Sequence, residues 1–341
     1  MTDDRYSAES LFRRLSSAVR RLPFLSVVLV ALLLFVPFGA RADDYPSRPV
    51  HLIITTPAGS LVDVLGRLYA EAMSARLGQP IVVDNRSGGM TMLGTDVLTH
   101  ADPDGYTLMI GPSELTMLPF LKKDYRYEPN RDYTPVALIT SSWTVFAIYP
   151  GLPVKTLPEF IAYAKANPGK LRYGSGGVGG ALHIAVEELK LKAGIDLVHV
   201  PYRGGGQAAT DAMAGQIDMV SLGLASARVA EGGKLLLLAQ TGPSRHPLFP
   251  DVPTTAEYGL PDVRMDTWFG LIAPPNTPAT IVERLDRATA EVEQQQDFRD
   301  NLAKIGCAPA YLPHAAFAAF IADDRKKWRQ LIPAMGIPPI E

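Results

Sequence analysis

Two glycine-rich segments carry residue types suited to binding an anion. The first reads Thr-Thr-Pro-Ala-Gly-Ser-Leu-Val-Asp at residues 55–63, and the second reads Tyr-Gly-Ser-Gly-Gly-Val-Gly-Gly-Ala at residues 173–181. Each follows a predicted strand and precedes a predicted helix, whose first N–H groups have no partner within the helix. These donors and the helix dipole favour a carboxylate or a phosphate. The two segments together predict an anion-binding clamp.

The first segment has two interpretations. Ser60 can cap a helix that begins at Leu61, Asp63 occupies its third position, and Gly59 allows a close turn past a ligand. The same residues would also cap a core helix that binds nothing. The position after a strand favours the ligand, because open α/β sheets bind ligands beyond the carboxyl ends of their strands.

The second segment contains the spacing G-x-G-x-x-G at Gly174, Gly176 and Gly179. In a dinucleotide-binding protein, an acidic residue at the end of the next strand would hold the ribose, but Asp196 comes before its predicted strand. Gly180 and Ala181 occupy the places where a P-loop requires Lys and Ser or Thr. The sequence therefore disfavours a nucleotide site, and we predict no cofactor.

Catalytic and metal-binding patterns are weak. The histidines show no H-E-x-x-H or paired ligand spacing, and no G-x-S-x-G motif is present. His199 lies in an apolar strand and Cys307 follows a glycine that ends a helix, so both are expected in the core. We predict neither catalytic residues nor metal ligands. An exported enzyme that uses the glycine loops remains the alternative.

Residues 1–42 have the pattern of a secretory signal peptide. Arg13, Arg14, Arg20 and Arg21 precede an apolar run at residues 27–39, and Ala-Arg-Ala follows at 40–42. The run is shorter than the roughly 20 residues that a membrane span requires. We therefore predict cleavage after Ala42 and a periplasmic location.

Composition limits the partners and the redox chemistry. The chain has 341 residues and a formal net charge of −2, so no basic excess suits nucleic acid. Cys307 is the single cysteine, which excludes an intramolecular disulfide. An ordinary apolar core must then supply the stability.

The elements around the two segments alternate between strand and helix, which predicts an α/β fold with mostly parallel sheets. Thr156 and Glu159 form a capping box, and Thr277 with Pro278 is expected to cap a long helix that stops near Gly306. Helices are predicted at 61–77, from 157 to 167, between the strands of residues 171–239, from 278 to 306 and at 315–332. Strands are predicted at 50–55, 81–83, 106–110, 136–149, 171–173, 197–200, 219–221, 235–239 and 268–273. Two chain crossings predict two hinged lobes, residues 43–142 with 266–341, and residues 143–265.

A series of short motifs resembles one family along the whole chain after the signal peptide. Examples are Tyr-Pro-Ser-Arg-Pro at 45–49, Val-Val-Asp-Asn-Arg at 82–86, Pro-Asp-Gly-Tyr-Thr at 103–107, His-Val-Pro-Tyr-Arg-Gly at 199–204 and Asp-Val-Pro-Thr-Thr-Ala at 251–256. Thr-Pro-Val-Ala at 134–137, Asn-Pro-Gly-Lys at 167–170 and Gly-Gln-Ile-Asp at 215–218 continue the series. The chain resembles the Bug or TctC-like solute-binding receptors of tripartite tricarboxylate transporters.

The resemblance implies a two-lobed periplasmic-binding-protein type II fold that closes on a small carboxylate. It also implies a monomer and membrane transporter subunits as partners. A receptor that docks on a sensor kinase is the alternative partner class. The ligand-binding residues that the resemblance suggests are Ala58, Gly59, Ser60, Asp63, Met92, Ser113, Thr144, Ser175, Gly176, Leu222 and Trp268.

Two departures from the family pattern bear on the ligand. Leu222 stands where relatives that bind amino acids have an aspartate, which suggests a ligand without an amino group. Met90 and Met92 add apolar bulk, and Trp143 or Trp268 could form a wall. The expected ligand is an apolar or aromatic carboxylate, although these four side chains could equally belong to the core.

Overall fold

The computed structural model describes residues 45–129, 131–230 and 232–340. The predicted signal peptide and its cleavage site lie outside these residues. Within them, no helix combines the length and the apolar character needed to cross a bilayer.

The chain begins with strands and helices in alternation. Strand β1 pairs in parallel with both β2 and β3, as expected for strands joined by helices. The elements are β1 (Val50–Ile54), α1 (Leu61–Leu77), β2 (Ile81–Asn85), α2 (Met92–Thr99), β3 (Thr107–Pro112) and α3 (Glu114–Leu121).

A second alternating series follows the long strand β4 (Thr134–Ile148). Strand β5 pairs in parallel with β6 and β7. The elements are α4 (Leu157–Ala166), β5 (Arg172–Ser175), α5 (Ala181–Ala193), β6 (Val198–Pro201), α6 (Gly205–Met213), β7 (Met219–Gly223) and β8 (Leu236–Gln240).

The last part of the chain returns to the first series. Strand β9 runs antiparallel to both β3 and β4 and lies between them. The elements are β9 (Asp266–Ala273), α7 (Ala279–Glu293), α8 (Gln296–Lys304), β10 (Ala308–Leu312) and α9 (His314–Ala334).

Strand β4 joins the two groups of strands. Its first part, up to Trp143, pairs with β9 and β10, and its last part, from Thr144, pairs with β7 and β8. The described strands thus form one mixed sheet in the order β2-β1-β3-β9-β4-β7-β5-β6. The two-lobed α/β class is confirmed, while the exact bounds of the lobes stay a prediction.

Capping residues explain which helix bounds were predictable. Helix α1 has the predicted bounds, and its N-cap Ser60 accepts a hydrogen bond from the Asp63 N–H (3.3 Å). The Thr156 cap of α4 is also confirmed, with Glu159 N–H donating to Thr156 Oγ1 (3.3 Å). Thr277 makes no such cap, because its hydroxyl donates to the Pro274 carbonyl (2.8 Å) and Pro278 is the N-cap.

Other expectations were wrong in extent. The long helix expected to reach Gly306 is interrupted at Gln294 and Gln295, which separate α7 from α8. Helices α2 and α3 and strand β10 were not predicted. Cys307 is fully buried, as expected.

Candidate ligand-binding cleft

A cleft of about 450 Å³ lies beyond the carboxyl ends of four strands. Residues after β1, β2, β3 and β5 line it, and both glycine-rich segments contribute to its wall. This is the edge at which open α/β sheets place ligands. The lining residues are Thr55, Thr56, Pro57, Ser87, Gly88, Met90, Thr91, Glu114, Gly179 and Gly180.

The first loop, residues 55–60, is held by a buried carboxylate. Asp63 Oδ2 accepts hydrogen bonds from the Gly59 N–H (2.8 Å) and Arg67 Nε (3.2 Å), while Oδ1 accepts from Asn85 Nδ2 (2.9 Å). The Arg67 bond, followed by the Gly59 N–H, lowers the pKa of Asp63 to about 2. Asp63 therefore positions the loop.

The second loop, residues 176–180, rests on a stack of neutral rings. His199 stacks on His183 (4.1 Å between centroids) and on Tyr173 (4.8 Å). Ser175 Oγ lies 2.7 Å from His199 Nε2, and the Gly179 N–H donates to His183 Nδ1 (3.1 Å). Burial lowers the pKa of both imidazoles, that of His183 to about 4. The imidazoles are uncharged at neutral pH.

Some of the N–H groups expected to bind a ligand already donate hydrogen bonds to acceptors within the loops or in the adjoining helix. The Gly59 N–H donates to Asp63, and the Ser60 N–H donates to the Pro57 carbonyl (3.2 Å). The first helical N–H groups, at Leu61 and Val62 of α1 and at Ala181 and Leu182 of α5, have no acceptor among the described residues. These are the donors that the two helix N-termini offer.

The loop after β2 has a strained backbone. Gly88, Gly89, Met90 and Thr91 all have positive φ, and the value for Thr91 is 75°. A branched residue rarely adopts this conformation, and such strain is concentrated at functional sites. The backbone places Met90 in the lining, whereas Met92, the methionine predicted for the site, lies in α2 outside it.

Glu114 is a cleft residue that sequence analysis missed. It is the first residue of α3, it follows β3, and it is the one charged side chain in the described lining. No motif marks it, and only its place after a parallel strand could have drawn attention to it.

Several predicted site residues lie away from the described lining. Ala58, Gly59 and Ser60 adjoin it in the first loop, Ser175 ends β5, and Gly176 begins the second loop. Ser113 precedes Glu114 and is buried, with its N–H donating to the Trp268 carbonyl (3.0 Å).

The remaining predicted residues are buried. Thr144 contacts Thr241 Oγ1 (3.2 Å), and Trp268 Nε1 donates to Asp324 Oδ2 (2.9 Å). Leu222 is fully buried in an apolar cluster with Trp143 and Val220. Trp143 Nε1 donates to Gln240 Oε1 (3.0 Å). Neither tryptophan belongs to the described lining.

Within residues 45–129, 131–230 and 232–340, no group of three or more His, Cys, Asp or Glu is arranged to hold a metal ion. The contact between Ser175 and His199 resembles half of a hydrolytic triad. No carboxylate accepts a hydrogen bond from His199 among the described residues, so the contact lacks the group that would orient a catalytic base.

Comparison with known proteins connects this geometry to a family. The family described as "Tripartite tricarboxylate transporter family receptor" matches residues 65–337. A Cupriavidus necator protein named for the gbd 5' region is 35% identical over 89% of this chain and 92% of its own length. BugT of Bordetella pertussis is 31% identical over 86% of this chain and 91% of its own.

Two similar solved structures contain carboxylates. R. palustris Rpa4515 with adipate has a TM-score of 0.75, 29% identity, and coverage of 87% of this chain and 100% of its own. MatC from Rhodopseudomonas palustris with bound malate has a TM-score of 0.69, 29% identity, and coverage of 84% and 100%. This chain belongs to the TctC, or Bug, family of periplasmic solute-binding receptors, which is not a family of enzymes.

Proposed function

We propose that this protein captures a small carboxylate in the cleft and delivers it to the membrane subunits of a tripartite transporter. The observation that carries the proposal is the cleft itself, which loops from both groups of strands line at the carboxyl ends of β1, β2, β3 and β5. Similar proteins bind adipate and malate, which supports an acid as the ligand class.

The carboxylate would lie between the N-termini of α1 and α5. Their free N–H groups and dipoles stabilise a negative charge without any Lys or Arg, and none of these lines the described cleft. Closure of the predicted lobes, 43–142 with 266–341 against 143–265, would bring the two helix ends onto the same ligand. Ala58, Gly59, Ser60, Ser175 and Gly176 would then shape the loops around it.

The side-chain environment favours a ligand with an apolar segment, because Met90 supplies adaptable apolar surface to the lining. The prediction of a ligand without an amino group depended on Leu222. Since Leu222 packs in an apolar cluster, it gives no direct support to that prediction, which no comparison tests.

A binding screen tests the proposal. The purified protein would be titrated with mono-, di- and tricarboxylates, aromatic acids and amino acids while thermal unfolding is followed. A ligand at about 100 times its Kd adds about 2.7 kcal/mol, which raises the Tm by a few degrees. Absence of a shift with every acid would contradict the proposal.

Matched glycine variants locate the site. Gly180 lines the cleft and has ordinary φ, so Gly180→Val adds bulk to the cleft with little backbone strain. Gly206 in α6 has open space around it and lies outside the described lining. We expect Gly180→Val to weaken binding at least tenfold and Gly206→Val to leave it unchanged. Equal effects would place the ligand elsewhere.

Uptake and transcription measurements distinguish delivery of the ligand to a transporter from sensing of the ligand through a kinase. Deletion of the gene should abolish uptake of the labelled ligand if the partner is a permease. Unchanged uptake with an altered transcriptional response to the ligand would instead favour a sensor kinase as the partner.

A further inference from the structure

Glu114 is a carboxyl group without a counter-ion in a cleft built for an anion. The described residues that line the cleft contribute no other charged side chain. Among the described residues, the carboxyl accepts a long hydrogen bond from the Ser113 hydroxyl, which is 3.5 Å from Oε2. No described Lys, Arg or His lies within ion-pair distance of it.

The surroundings of Glu114 compensate its charge only in part, because the N-terminus of α3 favours a carboxylate but no cation among the described residues pairs with it. Burial raises the pKa of the Glu114 carboxyl, and only its own backbone N–H and the Ser113 hydroxyl oppose the shift. A partly buried carboxylate is costly unless a cation or several donors approach it. Thr55 adds a second unsatisfied group to the lining, because its buried Oγ1 has no hydrogen-bond partner among the described residues.

The cleft therefore offers two opposite electrostatic environments. The N-termini of α1 and α5 favour a negative group, whereas Glu114 at the start of α3 favours a positive one. A dicarboxylate would satisfy the first and be repelled by the second. A molecule with one carboxylate and one protonated amine satisfies both.

We propose that Glu114 determines specificity by pairing with a protonated amine of the ligand, so that the captured solute is a small amino carboxylate. This rests on the proposed function, because it assigns the charge pattern of a ligand whose carboxylate the helix N-termini hold. It departs from the expectation, drawn from Leu222, of a ligand without an amino group.

Acids that differ only at one end provide the test. Straight-chain ω-amino carboxylates of two to six carbons, among them 6-aminohexanoate, would be compared by calorimetry with dicarboxylates and monocarboxylates of equal length, such as adipate and hexanoate. For at least one length we expect the amino acid to bind at least tenfold more tightly than both counterparts. If at every length a dicarboxylate or monocarboxylate binds as tightly as the amino acid, the proposal is overturned while the carboxylate receptor stays intact.

The variant Glu114→Gln keeps the shape and removes the charge. We expect it to lose the tenfold preference for the amino group, whereas Glu283→Gln, at an exposed position on α7, keeps it. A Glu114→Gln protein that retains the preference would overturn the assignment. A Tm of Glu114→Gln at or above that of the wild type excludes misfolding as the cause, and Glu114→Asp serves as the second variant should Gln unfold the protein.

The two proposals fail in different ways. If no acid in the broad screen or the matched series binds the wild type, the carboxylate receptor is wrong and the role of Glu114 is wrong with it. If acids bind without regard to the amino group, only the role of Glu114 is wrong.

Discussion

The two loops that line the cleft are anchored by different chemistry. The first loop depends on Asp63, an ionised carboxylate whose oxygens are occupied by protein donors. The second loop depends on the uncharged rings of His183 and His199 and on the Ser175 hydroxyl. The Asp63 carboxylate should keep its hydrogen bonds in mild acid, whereas protonation of the uncharged histidines should loosen the second loop. The two glycine-rich loops thus differ in what would loosen them.

The largest effect is expected from Asp63→Ala. The change leaves the Gly59 N–H and the Asn85 amide without their acceptor, so we expect a loss of about 3 kcal/mol in the free energy of unfolding. Arg67→Ala removes only a half-exposed partner and should cost less than about 1 kcal/mol. Urea denaturation measures the loss in each variant. Equal losses would show that the ion pair between Asp63 and Arg67, and not the hold of Asp63 on the loop, provides the stability.

Acid should weaken the second anchor first. The pKa of His183 is lowered to about 4 by burial and by His199, so the unfolded chain takes up a proton below about 6.5 while the folded protein does not. The contribution of His183 to the free energy of unfolding is complete above pH 6.5 and is lost towards pH 4, by on the order of 1.4 kcal/mol per pH unit.

Denaturation at pH 7 and pH 5 tests this assignment. His183→Gln should flatten the decline, while His51→Gln, at an exposed position on β1, should preserve it. The Asp63 anchor contributes little change over this range because the pKa of Asp63 is about 2. A decline that persists unchanged in His183→Gln would contradict the assignment.

Glycine substitutions compare the backbones of the loops. Gly59 (φ 81°) and Gly179 (φ 77°) both need a left-handed conformation, but a Cβ on Gly59 meets nothing whereas one on Gly179 clashes with Ile340 Cδ1. We expect Gly59→Ala to cost about 1 kcal/mol and Gly179→Ala about 2 kcal/mol. Adding Ile340→Ala should restore part of the Gly179→Ala loss, and no restoration would argue against the steric contribution.

The smallest difference is expected between the two serines. Ser60→Ala removes the N-cap of α1 and should cost about 1 kcal/mol. Ser175 is fully buried and contacts His199 and the Gly177 N–H, so Ser175→Ala should cost slightly more, about 1.5 kcal/mol. Thermal unfolding of the two variants measures the difference, and a more costly Ser60→Ala would reverse the ranking.

Local signals explain which parts of the fold were predictable. Helix α1 has a Ser cap, an acidic third residue and a terminal glycine, so its bounds agree with the prediction. Helix α2 begins after Thr91, which makes no side-chain cap and has positive φ, and α3 contains Pro119. In these two helices, tertiary packing overrides weak local preference.

The site was predictable at the level of loops more than of side chains. The glycine segments follow β1 and β5, and their position at the strand ends indicated the cleft. The spacing of residues in the sequence does not reveal which N–H groups already have an acceptor in the folded protein. The Gly59 N–H, for example, donates to the Asp63 carboxylate. Glu114 belongs to no sequence motif. Its place in the cleft is visible only in the folded protein, where β1, β3 and β5 bring it beside the two loops.

The position of β9 between β3 and β4 has a consequence for folding during synthesis. Met109 of β3 is paired with Ile272 of β9, from the last quarter of the chain. Until that strand emerges, β3 presents an unpaired edge, which is a site for aggregation. Such distant pairing also slows folding, because a long loop must close first. We therefore expect the first three strands to be prone to aggregation until β9 has been synthesised.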